Sequence, residues 1–201
     1  MSETGKLEYS SNIKDMPFLF MEMRKAVRIL EEGKAPYEIT RLSIEENLFQ
    51  LEKEKRRWEM ASKIRLRLSA LNTCQLSLLS NGSDEDAKLV AFYAMVKTDL
   101  LLFEFMRDIY HDKYALRQTL VADSDIETFL TAKANESEKV ASWSADNLRR
   151  VKNTYKNVLC EAELAKKQQN GIRIMRPVLN ADARMCWEKN DIYAKAMLLE
   201  V

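Results

Sequence analysis

Apolar positions recur at helical spacing along most of this chain. Phe20, Met23, Val27 and Leu30 stand three or four residues apart, the spacing of one helix face, and Pro17 suits a first turn. The pattern predicts a helix from Pro17 to Glu32, closed by "EEGKAP" with Gly33 just past its end. A shorter helix from Tyr37 to Phe49 would turn Ile39, Leu42 and Leu48 inward. The stretch Ile44–Leu68, "IEENLFQLEKEKRRWEMASKIRLRL", poses a phase problem. At about 100° per residue, Ile44, Leu48, Leu51 and Trp58 share one face, while Ala61, Ile64, Leu68 and Leu71 share another more than ~90° round. A straight helix cannot bury both against one neighbour. A break near Gln50–Glu54 resolves the conflict, with the next helix over Lys53–Leu71.

"SNGSDED" at Ser80–Asp86 marks a loop, with Ser83 or Asp84 as the cap of the next helix. From Glu85 to Tyr110 the chain is apolar on most sides and reads as one long, central, buried helix. "VADSD" marks another boundary, with Asp125 placed to cap a helix carrying Ile126, Phe129 and Leu130. "ESEKVASWSADNLRRVKNTYKNVLCEAEL" reads as a short helix, a turn at Ser142–Ser144, and a helix over Ala145–Glu163 capped by Ser144. Asn170-Gly171 is then a turn signal, followed by Ile172, Ile174 and Val178 in strand-like alternation. Helix, turn, helix and a short β ribbon follow the order of a winged-helix module. The tail from Asp182 to Val201 reads as helical. The expected organisation is a flexible segment over 1–15, an N-terminal helical lobe over 16–113, and a C-terminal winged-helix-like lobe over 114–201.

Composition supports a mostly helical fold. Four Gly and three Pro in 201 residues fall far below the usual shares of about 7% and 5%, which leaves little material for turns and bulges. Cys74, Cys160 and Cys186 have no short spacing, which suits buried thiols in a reducing compartment. No apolar run approaches the ~18 residues of a membrane span; "LVAFYAMVKTDLLLFEF" is interrupted by Lys97, Asp99 and Glu104. The N-terminus lacks the basic start and apolar core of a signal peptide. A cytoplasmic protein without membrane contact is expected.

Net charge is only +1, but its distribution is uneven. Asp84–Glu138 holds twelve acids and six bases, a net of −6. Lys139–Arg176 holds nine bases and three acids, a net of +6, and Glu52–Arg67 holds seven and three, a net of +4. Two basic segments flank an acidic middle, and clustered bases suit a polyanion even when the total is near neutral.

The Ala145–Glu163 helix is the most informative of these. Leu148, Val151, Tyr155, Val158, Leu159 and Ala162 form an apolar back. Arg149, Arg150, Asn153, Lys156 and Asn157 form a front, with Lys152 at its flank. Lys and Arg neutralise phosphates and release counterions, and Arg and Asn also read base edges. A solvated amphipathic face would look the same, so the preceding turn and following ribbon carry weight. Arg173 and Arg176 would act from the ribbon. Arg56, Arg57, Lys63 and Arg65 form a candidate second patch, which by itself reads equally as a solvated face with Glu52–Arg56 and Glu59–Lys63 pairs. The lone His111 has no partners at metal-ligand spacing, and "DSD" lacks the Gly and distal Glu of a calcium loop. No phosphate loop, nucleophile elbow or CxxC is present, so neither cofactor, metal nor small-molecule substrate is expected.

Several phrases resemble the BrxA family, small accessory proteins of bacterial BREX phage-defence systems. They are "RILEEGKAPYEI", "IEENLFQ" with "RLSAL", "KTDLLLFEFM" with Lys113, "DIETFLTAK", and "WSADNLRRVKNTYKNVLCEAEL", in family order over residues 9 to 180. Glu163 departs from the pattern, which often has Gly after the recognition-like helix. The resemblance implies a non-enzymatic, all-α protein, a helical bundle similar to the NusB antitermination proteins with helix-turn-helix parts. It also implies double-stranded DNA binding, a role in phage restriction and other BREX proteins as partners. A scaffold for defence subunits and an RNA-binding NusB-like protein are the alternatives.

Overall fold

In the computed structural model, which describes residues 7–188 and 190–199, the Ile44–Leu68 stretch breaks at two left-handed residues, Asn47 and Gln50. Helix α1 spans Phe20–Glu31, α2 Tyr37–Glu45 and α3 Glu54–Ser69, so the expected break begins slightly early, at Glu46. Asn tolerates the left-handed region, and Asn47 Oδ1 accepts from Leu51 N at 2.7 Å. Arg57 fixes the corner by donating to the carbonyls of Leu51 (2.7 Å), Ile44 (3.2 Å) and Glu52 (3.4 Å). With the phase reset, α2 and α3 pack together and bury Ile39, Leu42, Ala61, Ile64 and Leu68.

Helix α4 (Thr73–Asn81), absent from the sequence reading, starts on a reciprocal cap between Asn72 and Gln75. Helix α5 (Asp84–Thr98) takes Ser83 as its N-cap, and its first turn carries Asp84, Glu85 and Asp86 at the positive end of the helix dipole. The single helix expected over Glu85–Tyr110 is interrupted. Asp99 leaves the helical region at φ −138°, ψ 106°, and its carboxylate caps α6 (Leu100–Phe105) by accepting from Leu102 N at 3.0 Å. A short acidic side chain competes with the helical ladder for backbone donors, and apolar periodicity does not register that competition. The chain then forms a π-helical turn over Met106–His111 and ends in α7 (Asp112–Ala115). Helix α5 is central nonetheless, with Val90, Phe92, Tyr93, Ala94 and Val96 buried.

Strand β1 (Leu120–Ala122) is too short for its alternation to show. Helix α8 (Asp123–Glu136) follows, with Asp125 in its third position reaching back to Ala122 N at 2.7 Å rather than standing before the helix. Then come α9 (Glu138–Ala141), α10 (Ala145–Glu161), β2 (Ala165–Gln168) and β3 (Gly171–Ile174). The antiparallel sheet has the order β1-β3-β2, with Val121 and Lys167 both opposite Ile172. The β2–β3 hairpin, the wing of the sequence reading, puts β3 at the centre of this sheet, and the described residues are mainly helical with this one small sheet. Gly171 lets β1 approach, since a Cβ on it would lie 2.2 Å from Val121 O.

The turn from α10 into the wing is a Schellman motif: Glu163 N donates to Cys160 O at 3.1 Å and Leu164 N to Leu159 O at 2.9 Å. Its left-handed position, usually Gly, is held by Glu163 at φ +61°.

The tail is helical in two short pieces, α11 (Ala181–Met185) and α12 (Ile192–Leu198). Helix α12 packs on α5 and on the π-helical turn, so one hydrophobic core runs through both halves of the chain. The expected free thiols are corrected at two positions, because Cys74 and Cys186 form a disulfide; Cys160 is free. Residues separated by 112 positions carry no spacing signal, and it is the fold that brings α4 to the tail. Residues 1–6 of the expected flexible segment lie outside the described residues. The rest is packed down, with Ile13 buried and Tyr9 Oη donating to Glu104 at 2.9 Å.

Candidate nucleic-acid interface

Helix α10 docks through Val151, Tyr155, Val158 and Leu159, all fully buried, and Ser144 Oγ caps it by accepting from Asn147 N at 3.2 Å. Arg149, Arg150, Asn153 and Asn157 face solvent as expected. The two lysines do not stand free. Lys152 pairs with Glu127 at 2.6 Å and Lys156 with Asp123 at 2.8 Å, both acids on α8. Arg149 pairs with Asp146 one turn earlier, and this hydrogen bond holds the Asp146 carboxyl below its usual range. Arg149 remains 68% exposed, so its guanidinium can trade that partner for a phosphate.

Part of the second patch lies beside this helix. Asp15 is the junction: its carboxylate accepts from Arg150 at 3.0 Å and its carbonyl from Arg56 at 3.1 Å. Arg56 and Arg150, far apart in sequence, thus border one surface. Three other members do not share it as open cations. Arg57 is spent on the α2–α3 corner, and Arg65 donates to Thr40 Oγ1 at 3.1 Å while its Nε is buried without a partner. Lys63 is half-buried, and burial, with Arg67 nearby, pushes its ammonium pKa down. Arg67 itself is fully buried, donating to Phe18 O (3.0 Å) and Met16 O (2.8 Å), with burial lowering its pKa to about 10.

The wing is the most openly cationic part. Arg173 on β3 stands directly opposite Lys166 on β2, on the sheet face away from the core, beside exposed Leu120 of β1. Arg176 follows β3, and Lys167 lies near the hairpin end. Among the described residues, Lys166, Lys167, Arg173 and Arg176 are exposed and have no ion-pair partner. Like charges facing each other across strands cost stability unless an anion lies between or above them. Tyr110 holds the base of the wing, its hydroxyl directed at Leu164 O (2.5 Å) and Met175 O (3.2 Å). Sequence reasoning missed Asp15 and Tyr110 as organisers and did not single out Lys166 and Lys167, although a Lys pair just before an Asn-Gly turn is a visible sign.

The described residues contain no cluster of His, Cys, Asp and Glu able to hold a metal, and no helix among them is long and apolar enough to cross a membrane. A solved structure of an uncharacterized protein from Magnetospirillum magneticum superposes with a TM-score of 0.77, covering 94% of this chain and 97% of that one at 20% identity, which establishes a shared fold. A protein from Bacillus cereus (strain H3081.97) named BREX protein BrxA is 37% identical over 174 residues, 87% of each chain. The BrxA family model matches residues 7–191, which takes in the N-terminal segment carrying Asp15, helix α10 and the wing. By that match and the identity to the Bacillus protein, the chain belongs to the BrxA family.

Proposed function

We propose that this protein is a non-enzymatic, double-stranded DNA-binding accessory factor of a bacterial BREX phage-restriction system, acting in the cytoplasm with other BREX proteins. The observation that carries the reading is the wing: Lys166 and Arg173 face each other beside a recognition-like helix, with no ion-pair partner among the described residues. A phosphate backbone supplies the missing anion at that spot, while Arg149, Arg150 and Asn153 on α10 meet the adjacent groove. Lys152 and Lys156, tied to α8, orient the helix as much as they attract DNA. Membership of the BrxA family supports the phage-defence role.

The test is duplex binding by fluorescence anisotropy across a salt series. Removing two phosphate contacts by Lys166→Ala with Arg173→Ala should lower the log–log salt slope by about 1.8 and weaken binding roughly 30-fold near ~0.15 M salt. The Arg149/Arg150/Lys156→Ala triple variant should also bind more weakly. If both variants bind duplex DNA as the parent does, the assignment is wrong. A scaffold role is the second reading, favoured by the many α10 cations that already have protein partners. Partners retained after nuclease treatment with no DNA shift at physiological salt would establish it. Competition between duplex DNA and RNA of matched length separates the RNA-binding alternative.

A further inference from the structure

A cleft of about 530 Å³ lies between the segment around Ser10–Met16, the outer face of α3 and the end of α5 at Thr98. Its size is that of a small-ligand site. Its walls combine Asn12, Arg56, Trp58, Ser62, Lys63 and Leu66. Trp58 is 55% exposed and Leu66 48%, so a large apolar surface stands open beside cations. The Lys63 ammonium lines the cleft with neither a hydrogen bond nor an ion pair among the described residues, although its side chain is half-buried. Arg56 uses two nitrogens on Asp15 O and Glu59, which leaves further N–H donors of its fork. The two acids at the rim are already compensated. Asp15 meets Lys14 (2.5 Å) and Arg150 (3.0 Å), and Glu59 meets Arg56 (3.1 Å) and Lys55 (3.9 Å).

We infer that this cleft binds a nucleoside phosphate unit, with the base stacked on Trp58 and the phosphate held by Lys63 and Arg56. An exposed indole offers a stacking face that any base fits. The buried Asp99 carboxylate lies near enough to favour the charged Lys63 but makes no hydrogen bond or ion pair with it, so a half-desolvated ammonium gains a charge-assisted hydrogen bond when a phosphate arrives. Asn12 and Ser62 supply neutral hydrogen-bonding groups for sugar or base edges. Neither an inorganic anion nor an apolar molecule would use both halves of the cleft. The site lies beside Arg150 through Asp15, requires no duplex, and shares none of its lining residues with the wing.

The test uses the full chain, with no duplex present, and isothermal titration calorimetry with AMP, adenosine, inorganic phosphate and a short single-stranded oligonucleotide. AMP should bind saturably and more tightly than adenosine or phosphate. Trp58→Ala should weaken it about fivefold or more, and Lys63→Met roughly tenfold or more. Circular dichroism and thermal melting confirm that each variant is folded, and Trp58 fluorescence, read against Trp58→Phe, reports occupancy of the cleft. Variant-sensitive binding of AMP assigns a free nucleotide. Variant-sensitive binding of the oligonucleotide alone assigns a nucleotide within a strand. No saturable binding of either at millimolar concentration, phosphate or adenosine binding as tightly as AMP, or affinities unchanged in folded variants would overturn the inference. Because no duplex is used, failure here is separate from failure of the wing variants.

Discussion

Replacing Glu163 offers a sharp check on how α10 is joined to the wing. Its backbone sits at φ +61° in the Schellman turn, where a residue with a Cβ costs about 1–2 kcal/mol relative to glycine. Glycine also enlarges the conformational freedom of the unfolded chain, which offsets about 0.4–1 kcal/mol. The Glu163–Lys88 pair is lost as well, but with side chains 53% and 24% exposed it contributes only ~0.3 kcal/mol. Glu163→Gln removes that pair while keeping the strained backbone, so it is the proper reference. Glu163→Gly should be more stable than Glu163→Gln by about 0.5–1 kcal/mol. For a chain of this size that is a rise in Tm of roughly 1–4 °C. Urea unfolding followed by circular dichroism, with m compared between variants, measures the difference. If the glycine variant is no more stable than the glutamine variant, the left-handed assignment is wrong and the route into the wing has to be redrawn.

Gly171→Ala should lower stability by at least about 2 kcal/mol, because the new Cβ meets the backbone of β1 rather than a movable side chain; an unfolding midpoint matching the parent would refute the β1–β3 pairing. Tyr155→Phe should raise stability by about 1 kcal/mol, since the Tyr155 hydroxyl is buried without a hydrogen-bond partner among the described residues; a clear loss in chemical denaturation would show that the hydroxyl is satisfied. Arg57→Met should cost about 2 kcal/mol through the three carbonyls of the α2–α3 corner, with DNA affinity of the folded protein unchanged. A loss of DNA affinity without a loss of stability would instead place Arg57 on the interface.

The sequence by itself determined what depends on neighbours along the chain. Apolar periodicity placed most of the helices, the phase conflict in Ile44–Leu68 demanded a break, and Ser83 and Ser144 marked their caps because capping is a local hydrogen bond. The Asn-Gly signal located the hairpin for the same reason, and the front of α10 was legible because a buried back implies an exposed opposite face.

Only the tertiary structure decided the rest. Strand β1 exists because β3 offers it a ladder and Gly171 leaves room, a condition met about fifty residues downstream of it. Asp99 splits the expected long helix while buried in the protein, where apolar periodicity reads only its neighbours. Charge signs were visible, but charge pairing was not. Lys152 and Lys156 meet acids from α8, Arg57 turns inward to backbone, and Arg56 and Arg150 converge on Asp15, while the wing's cations have no ion-pair partner among the described residues. Coulomb attraction and hydrogen bonding depend on distance through space, and the fold sets which of the chain's cations are consumed internally and which remain for a polyanion.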